Sequence, residues 1–254
     1  MSDEVLLSES DGVLTVTINR PAAKNAINLA VAQGIAAAMD RLDGRADLRV
    51  GVLTGAGGTC CSGMDLKSFL TGEFPEIEGR GFGGLTEAPP QKPLIAAVEG
   101  YALAGGFELM LACDLTVTGD NARFGIPEAK RGLVAAAGGL VRLPRVAPYR
   151  VAMEMALTGE FISAARAYEL GLVNRVVPAG AALEGAMTLA RAIVANGPLA
   201  TAASKQVIRD SASWSEAELW SRQKAITVPI FASEDAREGA AAFAEKRAPN
   251  WKGK

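Results

Sequence analysis

The sequence predicts an α/β core followed by a helical C-terminal portion, and three observations carry that prediction. Two β-favouring runs open the chain. Two later stretches, residues 49–70 and 93–119, repeat one grammar of apolar strand, Gly-rich turn and helix. From about Tyr149 onward the apolar spacing turns almost wholly helical.

Taken in order, "VLLSESDGVLTVTINR" holds two strand-like runs on either side of Asp11-Gly12, a turn dipeptide that joins antiparallel partners. In "PAAKNAINLAVAQGIAAAMDRLDG", Ile27, Val31, Ile35, Met39 and Leu42 recur at helical spacing, and Gly44 stands where a C-terminal cap belongs. "RVGVLT" is a short buried-strand candidate, followed by the Gly-rich loop "GAGGTCCSGMDL" and the helix-like "DLKSFL". Residues 73–93 are rich in Gly and Pro and poor in periodic apolar positions, which predicts an irregular surface segment with the composition of a lid or binding loop. "PLIAAVEGYALAGGFELMLACDLTVTG" then repeats strand, turn and helix and adds a strand at residues 115–118. The helical remainder includes "YRVAMEMALTG", "LEGAMTLARAIVANG" and "SEDAREGAAAFAEKR". We divide the chain into a core, residues 1–195, and a helical region, residues 196–254, whose amphipathic faces suit subunit contacts.

Composition narrows the chemistry. The 254 residues suffice for a large core; 49% are hydrophobic and only 6% aromatic, so the packing relies on small side chains. With 26 Lys plus Arg against 28 Asp plus Glu, no field of either sign dominates, which argues against nucleic acid and anionic lipid as partners. The acidic start "MSDEVLLSES" has neither the basic nor the apolar part of a secretory signal, and no apolar run reaches membrane-spanning length, so a cytoplasmic protein is expected. Three cysteines (Cys60, Cys61 and Cys113) and no histidine give neither a disulfide framework nor an ordinary zinc site, so no metal is expected. The missing histidine also removes every Ser-His and Cys-His mechanism, leaving acid–base work to Glu, Asp, Lys, Tyr or Cys.

Three local features could carry such work. Glu108 follows Gly105-Gly106 at a predicted helix start and is surrounded by Phe107, Leu109, Met110 and Leu111, where an ionised group is costly. The structural alternative is a capping box, with Glu108 reaching back to its own helix start. Glu128 follows Pro127, which restricts Ile126 toward extended geometry; alone, it reads more readily as a solvated carboxylate at a helix start. "GTCCSGMDL" could aim the Ser62 and Gly63 N–H groups at an anion, although it matches neither a P-loop nor a dinucleotide fingerprint.

Their order along the chain is more telling. "NRPAAKNAIN", "CCSGMDL", "GYALAGGFELMLACDL", "FGIPEAKRGLV", "LTGEFISAARAYELGLVNRVV" and "SEDAREGAAAFAEKR" together make the sequence resemble the enoyl-CoA hydratase/isomerase, or crotonase, family over nearly its whole length. The resemblance implies a crotonase-like spiral of ββα units with a helical C-terminal trimerisation region, assembly as a homotrimer or dimer of trimers, and an acyl-CoA thioester as substrate. No cofactor is implied, coenzyme A being part of the substrate. By position, Ser62 and Gly105 match the two residues whose N–H groups form the family's oxyanion hole, and Glu108 and Glu128 match the two catalytic glutamates. Lys24, Gly63, Met64, Asp65 and Ala136 fall where substrate-binding residues are expected. Because both glutamates are present, the resemblance implies an enoyl-CoA hydratase. Ala135 and Ala136 depart from the Pro and Gly that many hydratases carry there, and the stretch also resembles carnitinyl-CoA dehydratases of the same family. Isomerases, thioester hydrolases and a non-catalytic coenzyme A-binding protein are the other readings.

Overall fold

A computed structural model describes residues 3–254. Strands β1 (Val5–Ser10) and β2 (Val13–Ile18) form the expected antiparallel hairpin, and both turn residues, Asp11 and Gly12, adopt positive φ. This is the geometry that matches the twist of the flanking strands. Helix α1 (Leu29–Gly44) is capped by Asn28, whose side chain accepts from the Val31 N–H at 2.9 Å, and it buries Val31, Ile35, Met39 and Leu42. Gly44 is its last residue rather than a left-handed cap; the chain leaves through Arg45 in extended conformation.

Three segments then repeat one pattern. β3 (Val50–Gly55) leads through residues 60–64 into α2 (Leu66–Leu70); β6 (Leu94–Val98) leads through β7 (Tyr101–Leu103) into α3 (Gly105–Ala112); β8 (Leu115–Gly119) leads through β9 (Arg123–Gly125) into a 3₁₀ turn (Pro127–Arg131). Before β6, the short strands β4 (Glu76–Ile77) and β5 (Gly81–Phe82) pair with each other. The first strand of each repeat joins a six-stranded sheet of order β1-β2-β3-β6-β8-β11, parallel from β2 onward and completed by β11 (Arg175–Val177). The second strand joins a smaller layer, in which β7 lies between the Cys61 bridge and β9, and β9 pairs with β10 (Ile162–Ser163). Helices α4 (Gly139–Val146), α5 (Tyr149–Thr158), α6 (Ala164–Glu169) and α7 (Ala182–Val194) follow.

The large sheet is covered on both faces, as parallel strands require. On one side Ala186 and Ala190 of α7 meet Val13, Val50, Val52, Ile95 and Val117. The other side packs on α1, α3 and the small layer, and Phe107 meets Phe124 there at a ring-centroid distance of 6.0 Å. The C-terminal helices α8 (Pro198–Ser211), α9 (Leu219–Phe231) and α10 (Glu234–Glu245) contribute little to either core, and α9 buries no residue.

One expectation is corrected. Residues 73–93 are not simply an irregular surface loop: residues 81–86 are buried throughout. Glycine makes this possible, because a side chain at Gly84 would run into the Ala32 carbonyl of α1 and one at Gly83 into Leu109 of α3. The segment is a wall between two helices.

Candidate active site

The turn between β7 and α3 sets the position of Glu108. Ala104 adopts φ 51° and ψ −130°, a strained conformation for a residue with a Cβ, worth about 1–3 kcal/mol. Its carbonyl accepts from the Phe107 and Glu108 N–H groups, which closes the first turn of α3 with Gly105 at its start. Glu108 is 3% exposed. It does not cap its own helix. Its Oε1 accepts from the Gly139 N–H at 2.8 Å, so the carboxylate sits on the N-terminus of α4, where the helix dipole favours negative charge. A Cβ at position 139 would stand 3.0 Å from both Oε1 and Cγ of Glu108, which glycine avoids. Burial pushes the Glu108 carboxyl above its usual range, opposed by the Gly139 and Ala137 amides and by the Arg142 charge.

Pro127 is buried and opens the 3₁₀ turn, with Ile126 at φ −121° as the preceding-proline restriction predicts. Glu128, the next residue, turns inward. Its Oε2 is buried and finds no hydrogen-bond partner among the described residues. Burial, with the Glu108 charge adding to it, pushes this carboxyl up to about 7. Below the ordinary carboxylate value both folded and unfolded chains hold the proton. Between that value and about 7 the folded chain alone holds it, so stability from this group is lost as pH rises through that window. Glu128→Gln is therefore expected to raise the thermal midpoint more at pH 8 than at pH 5, measured by calorimetry; an equal effect at both pH values would contradict the burial of an ionisable group there.

The turn expected to aim amides at an anion differs from expectation at one residue. The Ser62 N–H already donates to the Lys24 carbonyl at 3.1 Å, so it is not free for a ligand. The next amide but one is: among the described residues, the Met64 and Gly105 N–H groups have no protein acceptor. Each follows a residue with positive φ, Gly63 at 104° and Ala104 at 51°. The two turns face each other, since a Cβ at Gly63 would lie 3.3 Å from the Gly105 nitrogen.

A cavity of about 630 Å³ joins these features. Glu108, Glu128, Met64 and Gly105 line it, together with Lys24, Ser62 and Ala136, and the remaining wall is predominantly apolar, with Phe82, Leu103, Leu133, Val134 and Phe161. The Lys24 ammonium lies 5.9 Å from the Tyr101 ring centroid, within cation–π reach at the same wall. Gly63 shapes the turn and is not on the wall. Asp65 is also away from it: its carboxylate caps α2 through the Lys67 and Ser68 N–H groups and pairs with Arg20 at 2.9 Å. Burial pushes the Cys61 thiol up to about 12 and the Cys60 thiol well above its ordinary value, so neither is a nucleophile or base at neutral pH. Among the described residues no group of three or more His, Cys, Asp or Glu could hold a metal ion, and no helix is long and apolar enough to cross a membrane.

A family model described as enoyl-CoA hydratase/isomerase matches residues 8–254. The chain belongs to the enoyl-CoA hydratase/isomerase family. Among solved structures, an enoyl-CoA hydratase from Mycobacterium tuberculosis H37Rv superposes with a TM-score of 0.98 at 58% identity, covering 100% of both chains. Enoyl-CoA hydratase EchA19 of Mycobacterium tuberculosis is 44% identical over 98% of this chain and 96% of its own. Carnitinyl-CoA dehydratase of Salmonella typhi is 41% identical over 100% of both.

In this member of the family, sequence reasoning missed the Gly139 amide and Arg142. The double glycine of "AAAGGL" was the available signal, since the same pair opens the helix that carries Glu108.

Proposed function

We propose that the protein adds water reversibly across the 2,3 double bond of an enoyl-CoA thioester to give a 3-hydroxyacyl-CoA. One observation carries the reading: two carboxylates from separate segments line one cavity beside two amide N–H groups that have no acceptor among the described residues. Negative charge builds on the thioester oxygen as water attacks, and the Met64 and Gly105 N–H groups stabilise it there; each such donor is worth about 3–4 kcal/mol in related acyl chemistry. Met64 takes the role that position alone suggested for Ser62.

Glu108, with Oε1 held by Gly139, orients the water and accepts its proton as the oxygen bonds to C3. Glu128 gives its proton to C2. Hydration thus leaves Glu108 protonated and Glu128 ionised, and transfer between the two restores the starting state. Two carboxyls whose surroundings push their proton affinities differently are suited to this division. Lys24 serves as a point charge for a coenzyme A phosphate, and no separate cofactor or metal takes part in this scheme.

The large apolar wall favours a hydrocarbon acyl group over one bearing a cation. Assembly as a trimer, or a dimer of trimers, is supported by the exposed Ile208, Trp220, Val228, Phe231 and Phe243 on α8, α9 and α10. Residues 196–254 would then be the oligomerisation region, and the repeated strand–strand–helix segments a ββα spiral. The near-neutral charge balance supports an enzyme without nucleic-acid or anionic-membrane partners, and a cytoplasmic location is part of the same reading.

The test is a panel of enoyl-CoA thioesters, from four carbons upward and including one with a trimethylammonium group, followed by loss of the conjugated thioester absorbance. Hydrocarbon enoyl thioesters are expected to give 3-hydroxyacyl products. Turnover of the trimethylammonium substrate alone would make the protein a carnitinyl-CoA dehydratase instead.

A further inference from the structure

Arg142 is not required by the scheme above, yet it joins two segments that border the site. It stands three residues after Gly139 on α4 and so shares a face with the amide that holds Glu108. The side chain is half-buried. Its guanidinium donates to the Thr86 carbonyl and folds over Gly138, where any Cβ would collide with it. Thr86 ends the buried run that begins at Gly81, and the Phe82 ring of that run lies against Gly105, where a Cβ would stand 2.5 Å from two ring carbons. One cation therefore ties the wall that packs against Gly105 to the helix end that holds Glu108.

Resting on the hydratase reading, we propose that Arg142 is a positioning residue for hydration: it fixes the start of α4 against residues 81–86 and keeps the negative charge of the carboxyl pair on Glu108. The charged groups around the pair divide accordingly. Arg142 on α4 faces Glu108, with Arg145 and the Cys113 thiol as its own neighbours. Arg131, at the end of the 3₁₀ turn, is exposed and acts on Glu128. The half-buried cation outweighs the exposed one because solvent screens it less. Lysine would keep the charge but present no planar fork to reach Thr86 and lie over Gly138 together.

The experiment compares Arg142→Met and Arg142→Lys with wild type in crotonyl-CoA hydration across pH. A base must be ionised to act, and removing a nearby cation makes Glu108 hold its proton more tightly. The acid limb of the kcat/KM profile should therefore move up by about one pH unit in Arg142→Met. In both variants kcat should fall roughly 10- to 100-fold as the carboxylate loses its placement, with KM within about twofold of wild type. Arg142→Lys should keep the wild-type limb. An Arg142→Met limb superimposed on that of wild type, or a change confined to KM or to thermal stability, would overturn the proposal. Should Arg142→Met fail to fold, Arg142→Gln against Arg142→Lys gives the same comparison. Glu108→Gln serves as control: if it retains turnover the hydratase reading fails, whereas loss of turnover there with an unmoved limb in Arg142→Met rejects only the role of Arg142.

Discussion

Glu108→Gln is expected to lower kcat for crotonyl-CoA hydration by about 10²- to 10⁴-fold, the contribution of a positioned general base. Glutamine keeps the shape and still offers an oxygen to the Gly139 N–H, which Glu108 accepts at 2.8 Å, so the start of α4 should stay in place. What it cannot do is take a proton from water. Binding of a saturated acyl-CoA and the assembly state should change little, because the two free amides and the apolar wall remain. Folding should tolerate the change, since an amide loses less than a carboxylate on burial. A variant that loses stability while keeping its kcat would show that Glu108 serves only as the cap of α4.

Gly106→Val is expected to have a large structural effect. A Cβ there would collide with the Cys61 carbonyl and lie 2.8 Å from the Cys61 Cβ, and both belong to the packed layer rather than to a flexible chain end. Helix α3 would have to move away from the Cys61 segment. Gly106→Ala is expected to cost about 1–3 kcal/mol, and Gly106→Val more. The same shift would move Gly105 and Glu108, which share that turn, so activity should fall further than stability alone explains; displacements near 1 Å can cost about 10²-fold. Gly44→Ala is the matched control: nothing lies within 4 Å of that position, and α1 should be unchanged or slightly steadier. Thermal unfolding and kcat measured together would decide it, and wild-type values for Gly106→Val would contradict the close approach.

The sequence was most readable where structure is local. The Asp11-Gly12 hairpin, the stripe of α1 and the strand-turn-helix order each follow from periodicity and turn residues within one short window. Glu108 and Glu128 stood out for the same reason, through an apolar context in one case and a preceding proline in the other. What escaped depends on segments far apart in the chain. The Lys24 carbonyl captures the Ser62 amide, while that of Met64 meets no acceptor among the described residues, and nothing in "CCSGMDL" reveals that pairing. The acceptor role of Glu108 toward Gly139 is equally remote, and a local capping box was the natural local alternative. Residues 73–93 misled through composition, because glycines that suggest an exposed loop also permit backbone to approach backbone between two helices.

The proposed hydration has Glu108 and Glu128 act as one unit on a single double bond. Its most direct test is crotonyl-CoA turnover of wild type, Glu108→Gln, Glu128→Gln and the double variant under one condition. Groups that work together lose most of their effect with the first removed. Each single variant is expected to be deeply impaired, and the double barely worse than either. Near-wild-type turnover in one single variant, or penalties that simply multiply in the double, would contradict it.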